Sequence, residues 1–228
     1  MAARGVNNAA FRVLRANTDS PQRTSVIDVG AGAGAFSRRM RAAGYRVSAC
    51  DLYPELFQAP EVTCMPVSPS GELPYAEHTA DTVVALEIFE HIDGHETLLR
   101  EIRRVLKPGG MLLLTTPNIL NLKSRILFLL TGYFYNFPSL EPDVRDPVHQ
   151  HISPFSLDRY RWRLLQSGFE LSDVSVDRYK LSSLIWTLLI PLIRLVNWRA
   201  TRRSSSVRMQ NMTQVLLGRI LILCAIRS

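Results

Sequence analysis

Three glycines at alternate positions, Gly30, Gly32 and Gly34, follow a short apolar run in VIDVGAGAGAFS. A backbone that bare permits a tight turn and lets a ligand come close to the main chain. Asp51 stands about 20 residues further on, where a carboxylate accepts hydrogen bonds from both hydroxyls of a ribose. The loop also satisfies the dinucleotide pattern G-x-G-x-x-A, so by itself it admits two cofactor chemistries. A second group lies in LEIFEHI, where Glu87, Glu90 and His91 bring together two carboxylates and an imidazole at E-x-x-E-H spacing. These are residue types suited to taking a proton from a reacting group.

The elements that must position these residues alternate between strand and helix. Residues 25–29 read as a buried strand, and the glycine loop opens a helix over 35–43 that Gly44 stops. Strands are expected at 45–50, ending at Asp51, then at 62–67 and 82–86. A helix over 97–106 shows the spacing Leu98, Ile102, Val105 and closes on Lys-Pro-Gly-Gly, a stop signal before a fifth strand at 111–115. Further on come a helix at 156–167 and strands at 169–176 and 220–226, with a short covering helix before the first strand. Short apolar strands separated by helices indicate an α/β fold, a doubly wound parallel sheet covered on both faces. In such a sheet, ligands bind at the carboxyl ends of the strands where the order reverses.

A chain of 228 residues suits one domain, read here as residues 1–228. Its formal charge is +7, and much of the excess lies late, in Arg194, Arg199, Arg202, Arg203 and Arg208, around an apolar segment. Basic residues flanking apolar ones favour an anionic lipid surface over a nucleic-acid groove. The aromatic residues cluster with aliphatic ones instead of interleaving with Lys and Arg, which weighs further against nucleic acid. Cys50, Cys64 and Cys224 are three, lie far apart and lack C-x-x-C spacing, which argues against a disulfide framework or zinc site and for buried reduced thiols. The N-terminal residues lack the continuous apolar core of a signal peptide, so a cytoplasmic protein is expected, peripheral at the inner face of the membrane.

Context separates the two cofactor chemistries. Asp28 precedes the first glycine to give D-x-G-x-G-x-G, and LPYAEHTADTVVALEIFEHI, LREIRRVLKPGGMLLLTTPN and LLQSGFELSDV follow in order. Together these residues closely resemble the class I S-adenosylmethionine-dependent methyltransferases of the type 11/23 methyltransferase-domain group, which includes ubiquinone-biosynthesis-like O-methyltransferases. The resemblance covers residues 25–116 strongly, and 153–176 and the last strand more loosely. It implies a seven-stranded sheet in the order 3-2-1-4-5-7-6 with the last strand antiparallel. It also implies cofactor contacts from Asp28, Gly30, Ala31, Gly32, Gly34, Leu86 and Glu87, with Asp51 on the ribose and Leu52 against the adenine. Ser68 stands where members of the group commonly carry an aspartate near the exocyclic amine. S-adenosylmethionine has no phosphate, and VGAGAGAF accordingly has no cation.

The same resemblance extends to E-x-x-E-H, a metal-binding signature of ubiquinone-biosynthesis O-methyltransferases and small-RNA 2′-O-methyltransferases. It implies Glu87, Glu90 and His91 as catalytic residues or ligands of Mg²⁺ or Mn²⁺, joined by a downstream histidine. His149 and His151 fall about where that histidine would be, with His151 the candidate. A metal-free histidine base and a purely structural histidine are the other readings of the same residues. The function expected is methyl transfer to a hydroxyl on a small-molecule, glycan, lipid-linked or quinone-like acceptor near the membrane. RNA 2′-O-methylation, an NAD(P)-binding oxidoreductase and a catalytically silent cofactor-binding subunit are the alternatives.

Two insertions interrupt otherwise short connections. Residues 118–150 contain NILNLKSRILFLLTGYFYNF, apolar and aromatic, expected as an acceptor lid or a membrane contact. Residues 181–214 begin with LSSLIWTLLIPLIRLVNW, too short before Arg194 to span a bilayer, which takes about 20 apolar residues. An interfacial helix with Trp186 and Trp198 at headgroup level is expected there, with a helical lid or a dimer contact as alternatives.

Overall fold

The computed structural model describes residues 4–68, 70–144, 150–179 and 185–228. Its strands are β1 (Ser25–Val29), β2 (Arg46–Asp51), β3 (Cys64–Pro66), β4 (Ala80–Leu86), β5 (Leu106–Pro117), β6 (Phe169–Val176) and β7 (Ile220–Arg227). They form one sheet in the order β3-β2-β1-β4-β5-β7-β6. β7 pairs antiparallel with both β5 and β6, whereas the pairs among β1 to β5 are parallel. This is the doubly wound topology expected from the sequence, with the last strand reversed.

Burial on both faces explains why the inner strands β4 and β7 and the second half of β5 read as largely apolar runs. Successive side chains point to opposite sides, so Leu112 and Leu114 of β5 enter one core while Met111 and Leu113 enter the other. The first core is closed by α3 (His95–Val105) through Leu99, Ile102 and Val105, and by α5 (Leu157–Gln166) through Leu157, Tyr160 and Leu164. The second is closed by α1 (Arg4–Ala16) and α2 (Ala35–Ala42), through Ala10, Leu14, Phe36 and Met40.

Two local expectations change. Lys-Pro-Gly-Gly ends α3 but does not separate it from the strand. β5 begins directly at Leu106, and the pairing with β4 shifts from Ala80–Leu106 to Thr82–Met111. The extra residues bulge out, Lys107 reaches Asp81 at 2.6 Å, and Pro108 sits where no ladder hydrogen bond is required of it. Of the cysteines, Cys50 and Cys224 are buried and Cys64 only half-buried; all three are free thiols.

Both insertions emerge at the carboxyl edge of the parallel strands, the edge that also carries the glycine loop. After β5, α4 (Leu122–Thr131) is capped by Asn121, whose side chain accepts from the Ser124 N–H at 2.9 Å. The expected single interfacial helix is instead a strap of short helices. These are α6 (Leu189–Val196), α7 (Trp198–Arg203), α8 (Ser205–Gln210) and α9 (Thr213–Leu217). Pro191 is tolerated because it falls in the first turn of α6, where its missing N–H is not needed. The strap is stapled at its base. Arg219 pairs with the buried carboxylate of Asp177 at 2.7 Å, and the Ile220 N–H donates to the same side chain at 2.9 Å. Asn118, buried at the end of β5, donates to the carbonyls of Val215 and Gly218 and so ties the two insertions together. Residues 145–149, and with them His149, lie outside the described residues, as do 181–184.

Candidate active site

The turn after β1 is built from three left-handed glycines, with φ of 66° at Gly30, 53° at Gly32 and 78° at Gly34. Two of them are bare for the fold's own sake. A Cβ at Gly30 would lie 1.9 Å from the Ile88 side chain, and one at Gly34 would lie 2.7 Å from Phe57. Gly32 faces open space, so it is the glycine of the three that leaves room over the loop. Asp51, at the end of β2, fixes this turn: its Oδ2 accepts from the Gly32 N–H at 2.7 Å and its Oδ1 from the Tyr53 N–H at 2.9 Å. Each carboxylate oxygen can accept more than one hydrogen bond, so a ribose can be held by the same group. Asp28, beneath the loop, accepts from the Ser37 hydroxyl. Burial pushes its carboxyl up to about 7, with the nearby Asp51 charge adding to the effect.

These residues line a cleft of about 720 Å³, within the range of small-molecule sites. Asp28, Gly30, Ala31, Gly32, Asp51 and Leu52 form one wall, and Leu86, Glu87 and His91 approach from the end of β4. Gly34 supports the turn from behind without lining the cleft. Ser68 is also absent from the lining: its hydroxyl lies 2.5 Å from that of Ser70 and closes its own turn, while Ser70 and Gly71 face the cleft. Asn7 from α1, Gln58 and Ile92 are among the further lining residues and were not singled out by the sequence. Asn7 is separated from the motif by the rest of α1 and carries no local signal. No Lys or Arg is found among the described lining residues, whereas three carboxylates are. That balance suits a cationic, phosphate-free ligand such as a sulfonium nucleoside; a pyrophosphate would find backbone N–H groups in the loop but no cation.

Glu87 ends β4 with φ 55°, a left-handed conformation uncommon for a residue with a side chain. Its N–H is held by Thr115, through the backbone carbonyl at 3.2 Å and the hydroxyl at 3.0 Å. This kink turns the chain into the short 3-10 segment Phe89–His91. Glu90 is fully buried there, and neither carboxylate oxygen has a hydrogen-bond partner. Burial, reinforced by the Glu87 charge, pushes the Glu90 carboxyl up to about 8. The Glu90 backbone carbonyl accepts from Ile152 and Ser153, which delivers His151 to the same place.

Ligand-type atoms of Glu90, His91 and His151 all lie within 4.8 Å of one another. The Nδ1 of His91 is 2.9 Å from the Gln150 carbonyl, and that of His151 is 2.6 Å from the Asn136 carbonyl. A carbonyl only accepts, so each Nδ1 carries a proton, which leaves Nε2 as the atom that could bind a metal or a proton. Burial holds the His151 imidazole below its usual range, with His91 adding to the effect, and keeps the ring neutral. An orphaned buried carboxylate beside two oriented imidazoles fits a divalent cation. Glu87 lines the cleft but is outside this three-residue cluster.

Comparison with known proteins agrees with this geometry. A ubiquinone biosynthesis O-methyltransferase of Xanthomonas oryzae pv. oryzae is 37% identical over 102 residues, 41% of this chain and 43% of the relative. The enzyme of the same name from Xanthomonas euvesicatoria pv. vesicatoria is 30% identical over 164 residues, 68% of this chain and 66% of that protein. The chain therefore spans only about 43% and 66% of the length of these two relatives. Among solved structures, an S-adenosylmethionine-dependent methyltransferase from Mesorhizobium loti superposes with a TM-score of 0.60 at 15% identity, covering 96% of this chain and 98% of that one. One from Archaeoglobus fulgidus gives 0.62 at 17% identity, covering 96% and 92%. At such identities the likeness is one of fold. The model of the methyltransferase domain matches residues 3–174, from α1 through most of β6 and so across every element that builds the cleft, and the chain belongs to the methyltransferase-domain family.

Proposed function

We propose that this protein moves the methyl group of S-adenosylmethionine to a hydroxyl of a small apolar acceptor, quinone-like, saccharide-bearing or lipid-linked. The observation that carries the reading is the junction at His91, which lines the cofactor cleft and also belongs to the cluster with Glu90 and His151. Methyl transfer is an in-line displacement on a carbon already activated by positive sulfur. The protein's tasks are therefore to align the acceptor, exclude water and remove the hydroxyl proton. The loop from Gly30 to Gly34 and Asp51 hold the nucleoside, and Glu87 lies where β4 reaches the cleft. With no metal bound, the Nε2 atoms of His91 and His151 would be the proton-accepting positions; with an ion bound, the same lone pairs would hold it instead. The curated relatives are named for ubiquinone biosynthesis O-methylation, which supports an oxygen nucleophile on a quinone-like ring.

Glu90, His91 and His151 are the residues that would hold a divalent ion. Such an ion supplies positive charge that makes a neighbouring hydroxyl more acidic. Of the two candidates, Mn²⁺ suits a set of two imidazoles and one carboxylate better than Mg²⁺, which prefers oxygen donors.

The test uses deuterated-methyl S-adenosylmethionine, catechol-type acceptors and mass spectrometry of the products, with Mn²⁺, with Mg²⁺ and with a chelator. Glu90→Gln and His91→Ala are each expected to lower turnover by roughly a hundredfold or more. The thermal response to S-adenosylhomocysteine should persist in both. Undiminished turnover in both variants would remove the cluster from the mechanism.

A further inference from the structure

None of the 20 acidic residues lies after Asp177, whereas nine of the 27 basic ones do. This segment contains the strap between β6 and β7, and its helix α6 is oriented the wrong way for a soluble protein. Ile190 and Ile193 pack with Leu122, Leu216 and Leu217 in a small core. The opposite stripe, Leu188, Leu192, Leu195 and Val196 at helical spacing, faces outward, with Leu188 86% and Leu195 74% exposed. α4 starts from the same small core at Leu122 and exposes Phe128, Leu129 and Leu130 at its far end, Leu129 to 77%. Trp198 is half-exposed under the Arg202 guanidinium, 4.3 Å from its ring. Among the described residues, Arg194, Arg199, Arg202, Arg203 and Arg208 form no ion pair.

We propose that this face docks on an anionic lipid bilayer, with α6 lying in the plane of the headgroups and its leucine stripe in the acyl region. The pattern is that of an interfacial helix: aliphatic residues on one side, arginines beside them, and an aromatic residue at the boundary. No helix among the described residues is long and apolar enough to cross a membrane, so the contact is with the surface. A second copy of the chain is a poor occupant. A two-fold interface brings like patches together, and two such faces would set arginine against arginine with no carboxylate between them. A nucleic acid would satisfy the arginines and leave the leucines in water. A bilayer with acidic headgroups satisfies both. Both insertions stand at the carboxyl edge of the sheet, so docking would turn the mouth of the cleft toward the lipid. The surface itself does not depend on which acceptor is methylated.

Flotation of the purified full chain with phosphatidylcholine vesicles, with and without phosphatidylglycerol, tests this. Binding is expected only with phosphatidylglycerol, accompanied by a blue shift of tryptophan fluorescence. Replacing Arg199, Arg202 and Arg203 by Gln should weaken it roughly a hundredfold, as three near-surface charges imply. The triple variant Leu188→Ser, Leu192→Ser, Leu195→Ser should abolish it at any salt concentration. Both variants should keep the thermal response to S-adenosylhomocysteine, which shows that they fold. The proposal is overturned by no flotation with phosphatidylglycerol or by flotation unchanged in both variants. It is equally overturned by a discrete dimer that the serine variant dissolves, or by binding to RNA in preference to vesicles. Label transfer in vesicle-free solution reads the methyltransferase proposal separately.

Discussion

Asp28 is a buried acid in the floor of the cleft that stays about half-protonated near neutral pH. Its carboxyl is raised from the usual 3.8 to about 7 by burial, then by Asp51, against the lowering effect of the Ser37 hydroxyl. The folded protein thus keeps a proton between about pH 4 and 7 that the unfolded chain has released. Stability contributed by this group is full below the unfolded value and is lost as pH rises through the folded one. Asp28→Asn retains a carbonyl for Ser37 and cannot ionise. Its urea midpoint should gain on wild type between pH 5 and pH 8 and then run level. A constant difference across that range would mean that Asp28 is ionised in the fold throughout. The position of Asp28 and Asp51 around the glycines was readable in the sequence because the spacing of a strand, a turn and a second strand is local. The isolation of Glu90 was not, since it depends on burial under residues about 60 positions away. Nor was the reason for Gly30, whose bareness answers to Ile88 and not to a ligand.

At the scale of elements, the strap depends on its staple. Asp177 has a fully buried side chain, paired with Arg219 and with the Ile220 N–H. Removing one partner of a buried pair strands the other and costs about 3–5 kcal/mol. Asp177→Ala should therefore lower stability by about that amount. It should also open the strap first, so limited proteolysis is expected to cut within residues 185–212 before the sheet unfolds. Cleavage that begins elsewhere, or a loss under about 1 kcal/mol, the worth of an exposed pair, would show that the pair does not hold the strap. Of the strands flanking the strap, β7 was legible as an apolar run because it is buried inside the sheet. β6, at the sheet edge, mixes polar and apolar residues and was marked instead by the helix and Gly168 before it. The strap was legible as an apolar and basic insertion, but its division into α6 to α9 was not. Asn197 and Ser204 break the helices there through local turns, and the packing of Ile190 and Ile193 on Leu122 comes from a segment about 70 residues earlier. Lys-Pro-Gly-Gly was legible as the stop that ends α3, but its bulge was not, because that depends on the pairing with β4, where Lys107 meets Asp81.

Taken whole, the molecule separates its charge. The cleft at the middle of the sheet edge is acidic, and the strap beside it is basic. This arrangement discriminates between the two cofactors that the glycine loop admits. S-adenosylmethionine and its demethylated product bring an ammonium group, in the former a sulfonium as well, to a cleft with Asp51 and Glu87 in its walls. A nicotinamide dinucleotide brings a pyrophosphate to the same carboxylates, with no Lys or Arg among the described lining residues to receive it. A ligand present at about a hundred times its dissociation constant stabilises the native state by about 2.7 kcal/mol. For a chain of this size that raises the melting temperature by roughly 5–10 °C. S-adenosylhomocysteine is expected to give a shift of that order and NAD⁺ none, in the same buffer and at equal concentration. Asp51→Ala should abolish the shift while the protein still melts cooperatively, because the carboxylate holds the Gly32 turn and is the proposed ribose ligand. Equal shifts with the two ligands would mean that a pyrophosphate is accommodated beside these carboxylates, and the charge argument for the cofactor would fail with it.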